Sequence, residues 1–135
     1  MRVQRVVARW IVPLLPLVSV VARGQEPSLV DAVKMGNVVA VRALIEAGTD
    51  VTQRDPHGTT ALHWAVHRDD LELADLLLRH GARVDAANRY GVLPLYLASV
   101  NGNAAVVERL LEAGADPDSA LPSGETALMT AARTG

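Results

Sequence analysis

An all-α solenoid of stacked helix–turn–helix units is the fold class this sequence predicts, and three observations predict it. Glycines recur every 33 residues in three ladders: Gly58, Gly91 and Gly124; Gly48, Gly81 and Gly114; and Gly36, Gly102 and Gly135, with Asp69 on the missing rung. Leucine-rich pairs keep step with them, as Leu44-Ile45, Leu77-Leu78 and Leu110-Leu111. Half of the residues are apolar, yet Trp10, Trp64, Tyr90 and Tyr96 are the only aromatics. A core of Leu, Val, Ile and Ala suits closely packed helices better than a β-sandwich.

Each unit reads in the same order. After a first-ladder glycine come Thr60-Ala61-Leu62-His63, Leu93-Pro94-Leu95-Tyr96 and Thr126-Ala127-Leu128-Met129. Thr60 and Thr126 can cap a first helix by offering an oxygen to its free N–H groups. Leu93 cannot, so the third unit's first helix should start less firmly. Leu62, Leu95 and Leu128 are expected to bury between helices, and Ala65, Ala98 and Ala131 are small enough to let paired helices approach. The second helix, as in Leu71 to Leu78, has apolar spacing wide enough to face its partner helix and the next unit. Gly48, Gly81 and Gly114 fall where that helix must end in a left-handed residue. The stretch from each of these to the next first-ladder glycine is expected to form a projecting turn.

These residues carry a resemblance. The pattern resembles the ankyrin repeat, whose consensus opens D-x-x-G-x-T-P-L-H, and Asp55 through Asp85 is a nearly complete copy of that consensus. The resemblance covers about Gln25 to Gly135, with units at about 25–54, 55–87 and 88–120 and an incomplete one at 121–135. It implies an ankyrin-repeat solenoid with projecting β-turn or hairpin loops. In the first unit Gln25, Pro27 and Ser28 replace the motif's glycine, Thr and Pro, as fits a terminal repeat whose outer face meets solvent. Pro117 removes a turn donor after the third unit, and Leu121 stands where an acidic residue opens the next.

The first 24 residues read differently. Arg2, Arg5, Arg9 and Arg23 are their only charges, and Trp10 to Ala22 is an apolar run of 13 residues containing Pro13 and Pro16. A bilayer-spanning helix needs about 20 apolar residues. The segment 1–24 is therefore expected to be a signal peptide cleaved before Gln25, with an uncleaved N-terminal anchor as the lesser alternative. Either sends the remainder across a membrane, and the periplasm or the extracellular space is the expected compartment. The rest of the chain holds 9 basic and 15 acidic groups, a sign that disfavours nucleic acid or an anionic membrane as a partner. Cysteine is absent, which excludes disulfides, thiolate metal sites and Cys nucleophiles.

No constellation of residues points to catalysis. His63 and His67 share a helix face, but Trp64 stands where a zinc protease needs Glu, so no metal site is expected. The resemblance gives His63 a hydrogen-bonding role within its turn, and Trp64 a place in the core. Asp69, Asp70, Glu72 and Asp75 are read as acids favouring a helix N-terminus. Neither P-loop, dinucleotide fingerprint nor nucleophile elbow occurs, and no cofactor is expected.

What the resemblance implies is a protein-binding module that meets its partner through turn tips and the ends of the first helices. Carried over position by position, the partner-binding residues are His57, Thr59, His67, Arg68, Arg89, Tyr90, Val92, Asn101, Ser123 and Glu125. Arg89 and Tyr90 stand out, since Arg and Tyr are enriched at binding hot spots. The alternative is an accessory region of a larger exported enzyme with its catalytic part beyond residue 135. The repeat register also leads us to expect a fragment, because Gly135 falls between the two helices of its unit.

Overall fold

The computed structural model describes residues 27–134, and among them three pairs of helices and a seventh, single helix follow the 33-residue register. The segment expected to be a signal peptide, and Gln25 after it, lie outside the described residues. The first helices are α1 (Leu29–Lys34), α3 (Ala61–His67), α5 (Pro94–Asn101) and α7 (Ala127–Thr134). The second helices are α2 (Val38–Glu46), α4 (Leu71–Arg79) and α6 (Ala104–Glu112). First helices stack in one layer and second helices in another, so α3 packs on α1, α4 and α5. None of the described helices is long and apolar enough to cross a membrane.

Helix starts follow from their capping residues. Thr60 accepts from the His63 N–H, and Thr126 from the Met129 N–H at 3.2 Å. As expected, Leu93 gives no side-chain cap, and α5 begins instead on Pro94, whose missing N–H costs nothing in a first turn. In the first unit the cap moves by one residue. Ser28, with Asp31, forms a capping box, so α1 begins at Leu29, one step later in the register than α3. The second helices have their own ladder of caps, Asn37, Asp70 and Asn103, each accepting from backbone N–H groups of its first turn.

Helix ends repeat as faithfully. Thr49 N–H donates to the Leu44 carbonyl, Ala82 to Leu77 and Ala115 to Leu110, each at 3.0 Å. Gly48, Gly81 and Gly114 supply the left-handed residue that this Schellman geometry requires. Asp69 holds φ +62° on the rung otherwise occupied by Gly36 and Gly102; a short polar side chain tolerates that conformation better than most.

The core runs through the stack as one cluster that includes Leu29, Val33, Val41, Leu62, Leu73, Leu77, Leu95, Val106 and Leu110. Of the three leucines expected to bury at the equivalent first-helix position, two do so, Leu62 fully and Leu95 at 3% exposed, as does Leu29 one register step earlier. Leu128 is 73% exposed. Its helix α7 packs on α5, and among the described residues no later helix covers it. An open groove of about 800 Å³ lies beside it, with Val100, Val107, Leu111 and Ala131 in its walls.

Candidate functional site

Between the helix pairs the chain projects as a row of short fingers. Each closes by the same two backbone bonds. Asp55 N–H donates to the Thr59 carbonyl at 2.9 Å and Gly58 N–H to the Asp55 carbonyl at 2.8 Å. Asn88–Val92 and Leu121–Glu125 repeat this arrangement. The side chains of Asp55 and Asn88 reinforce their fingers, each accepting two backbone N–H bonds: from His57 and Thr59, and from Tyr90 and Val92. Leu121 has no such acceptor, so the last finger lacks this brace. The second half of the finger leans on the next one: a Cβ on Gly91, at φ +76°, would stand 2.5 Å from Pro122 Cγ. Glycine is required there on both counts, backbone conformation and space.

Neighbouring fingers are tied across. Arg89 N–H donates to the His57 carbonyl at 2.9 Å, and the Arg89 guanidinium to the Pro56 carbonyl at 2.6 Å. Arg54 spans the same gap, donating to the carbonyls of Gly58 and Ala87. On the helices, Arg68 donates to the Lys34 carbonyl at 3.0 Å, and Asn101 to the Val66 carbonyl at 2.8 Å. Those two side chains close the C-terminal ends of the preceding unit's first helix.

His63 joins the units from within. It is fully buried; Nδ1 accepts from the Thr60 N–H and lies 2.8 Å from its hydroxyl, while Nε2–H donates to the Val92 carbonyl at 2.9 Å. The role in its own turn is the one expected; the bond to the next unit was not foreseen. Both nitrogens are occupied, so His63 and His67 do not form a metal-binding pair. Among the described residues no group of three potential metal ligands exists.

The residues 29–120 match the family described as ankyrin repeats in three copies. The chain belongs to the ankyrin-repeat family. It is 37% identical over 125 residues to the human BCL-6 corepressor-like protein 1, covering 92% of this chain and 7% of that protein. With the palmitoyltransferase Hip14 of Drosophila melanogaster it shares 38% identity over 90 residues, 66% of this chain and 14% of that one. The E3 ubiquitin-protein ligase KEG of Arabidopsis thaliana is 36% identical over 93 residues, 68% and 6%. The chain thus spans a small part of each relative's length. Ankyrin repeats of this kind are protein-interaction modules.

On the ankyrin scaffold the ten residues named from sequence fall into two groups. His57, Tyr90 and Ser123 occupy equivalent finger tips one register step apart and are all exposed; Tyr90 is 65% exposed. His67 is also exposed, at the end of α3, and meets the Trp64 ring edge-on at 5.6 Å. The other six are engaged within the chain. Arg68, Arg89 and Asn101 are the exposed ties described above, and Thr59 and Val92 are half-buried parts of finger backbones. Glu125 accepts from Thr130 and pairs with Arg133 at 2.8 Å.

Beside them lies a cluster of Trp64, Lys34 and Asp55 that the sequence did not announce. Trp64, expected in the core, packs against it yet stays half-buried. Lys34 sits 4.8 Å above its ring, and the indole N–H reaches Asp55 at 3.4 Å. Asp55 also pairs with Lys34 at 3.6 Å, although its side chain is only 6% exposed. Burial pushes its carboxyl upward, but the N–H groups of Thr59 and His57, the Trp64 indole and Lys34 outweigh that and hold it below its ordinary 3.8.

Burial is also the main influence on His63, and it lowers the ring below its ordinary 6.5 against the opposing pull of the Val92 carbonyl; Arg54 lowers it further and Asp55 raises it. Well above 6.5 the ring is neutral whether the chain is folded or not. As pH falls below 6.5 the unfolded chain binds a proton that the folded one resists, and stability drops until the lowered folded value is reached. The carboxylates of Asp50, Asp55, Asp75 and Asp85, all lowered from 3.8, add their losses only at more acid pH. The melting temperature should therefore fall between about pH 7 and about pH 5. In His63→Gln, followed by thermal circular dichroism, that fall should flatten; an unchanged slope would assign it elsewhere.

Proposed function

We propose that this chain is an exported, non-catalytic binding module that docks a protein partner through its finger tips and the concave face of its first helices. The row of exposed tips at His57, Tyr90 and Ser123, matched by exposed His67 and Val100 at the ends of α3 and α5, carries this reading. Rigid, register-spaced turns offer a partner side chains whose backbone is already fixed, which lowers the entropic cost of binding. Carriage across a membrane rests on the basic start and apolar run of residues 1–24. Mass spectrometry of the secreted chain should find Gln25 at its N-terminus; a mature chain beginning at Met1 would sink the cleaved-signal reading.

A photo-crosslinking residue in place of Tyr90 should yield a covalent adduct with a protein, whereas the same residue in place of Glu46, at the end of α2, should not. Adducts at both positions, or only at Glu46, would move the partner off this face.

A second reading, an accessory region of a larger exported enzyme, has one observation in its favour: two of the relatives bear enzyme names and match this chain over a small part of their length. A catalytic domain encoded after Gly135 would decide for it.

A further inference from the structure

The described arginines divide by face, with the exception of Arg133 on α7, which pairs with Glu125 at 2.8 Å. On the described second helices, and at Arg83 just after α4, each guanidinium meets a carboxylate: Arg42 pairs with Glu72 at 2.9 Å, Arg79 and Arg109 share Asp75 at 2.8 and 2.6 Å, and Arg83 pairs with Asp85 at 3.1 Å. On the fingers and first-helix ends, Arg54, Arg68 and Arg89 meet carbonyl oxygens instead. A carbonyl satisfies N–H donors but leaves the positive charge uncancelled. All three side chains are exposed.

Acidic residues are distributed the other way. Asp31, Asp55 and Glu125 are the acids of the first helices and finger tips, with exposed Asp69 next to Arg68 after α3; Asp55 is neutralised by Lys34 and Glu125 by Arg133. The remaining described carboxylates lie on the second helices or in the stretches beside them, among them Glu46, Glu108, Glu112, Asp116 and Asp118. Guanidinium charge without a carboxylate partner is thus found on the fingers and first-helix ends, whereas most carboxylates lie on or beside the second helices, the back layer of the stack. Exposed apolar side chains occur on both layers, Val39 on α2 among them, and those beside the uncancelled arginines are Met35, Tyr90 and Val100.

We propose that the partner element docked here is an acidic polypeptide segment bearing apolar side chains, recognised by the uncancelled charges of Arg54, Arg68 and Arg89 beside Tyr90 and Val100. This deepens the binding-module reading and rests on it. Three cations held in place by backbone carbonyls attract an acidic segment and set its register, while the carboxylates of the second-helix layer repel wrong orientations. A nucleic-acid polyanion, too long to stay within the finger side, would meet the carboxylates of the second-helix layer, whereas a short acidic segment can remain beside the arginines.

The test uses the chain with a random-peptide display library, followed by fluorescence anisotropy of the selected peptides at rising salt. Selected peptides should be rich in Asp and Glu interspersed with apolar residues, and their binding should weaken as salt rises. Arg68→Gln with Arg89→Gln retains amide donors for the Lys34 and Pro56 carbonyls, so circular dichroism should report an intact fold. That variant should lose about tenfold in affinity, whereas Arg42→Gln on the back should lose little. Neutral or basic selected peptides, an absence of any enrichment, equal binding by the double variant, or tighter binding to oligothymidylate than to the acidic peptides would each overturn the proposal. The crosslink from Tyr90 does not depend on partner charge, so a failed charge test leaves the docking face to be judged separately.

Discussion

Replacing His63 with alanine is expected to lower the stability of the folded chain by about 3 kcal/mol, the sum of a lost hydrogen-bonding hub and a cavity. The ring is fully buried and occupied on both nitrogens. Without it the Thr60 N–H loses its acceptor inside the protein, and the Val92 carbonyl keeps only the Asn88 N–H. The tie between the second and third units loosens at the same stroke. Urea denaturation measures the effect, with His67→Ala as the control: His67 is exposed, and its loss should change stability by less than about 0.5 kcal/mol. A cost for His63→Ala below about 1 kcal/mol would show that the hub is dispensable.

The second large effect compares one repeat position in two places. Leu62→Ala should cost about 2–5 kcal/mol, because the side chain is fully buried among α1, α4 and α5 around its own helix. Leu128→Ala, two register steps later, should cost under about 0.5 kcal/mol, since 73% of Leu128 already faces solvent. Equal costs at the two sites would mean that Leu128 is covered in solution.

The same comparison shows where sequence reading succeeds and where it runs out. Periodicity located the helices because glycine and leucine recur for local reasons: a left-handed helix end at Gly81, a buried stripe through Leu73 and Leu77. Thr60 announced its cap and Leu93 the lack of one, since a cap needs only residues three positions away. Ser28 escaped because the terminal unit shifts its cap by one residue, which a strict register hides. The candidate site was legible in outline. His57, Tyr90 and Ser123 could be placed on tips by counting, but the ties of Arg68, Arg89 and Asn101 to carbonyls in the preceding unit could not. A backbone carbonyl carries no residue signature, so nothing in the sequence marks it as a partner. Arg54 and Lys34 were missed for a related reason. Neither recurs at its equivalent position in the next units, and the ring and carboxylate that give Lys34 its place lie on another helix and finger.

The ties between units have a consequence for how this chain folds. Whether made by Arg54, His63, Arg68, Arg89, Asn101 or Arg109, each joins residues 29 to 35 positions apart. Closing a loop of that size costs nearly the same entropy wherever it lies along the chain. Each unit that docks therefore meets a barrier set by its neighbour alone, and lengthening such an array adds steps without adding distant searches.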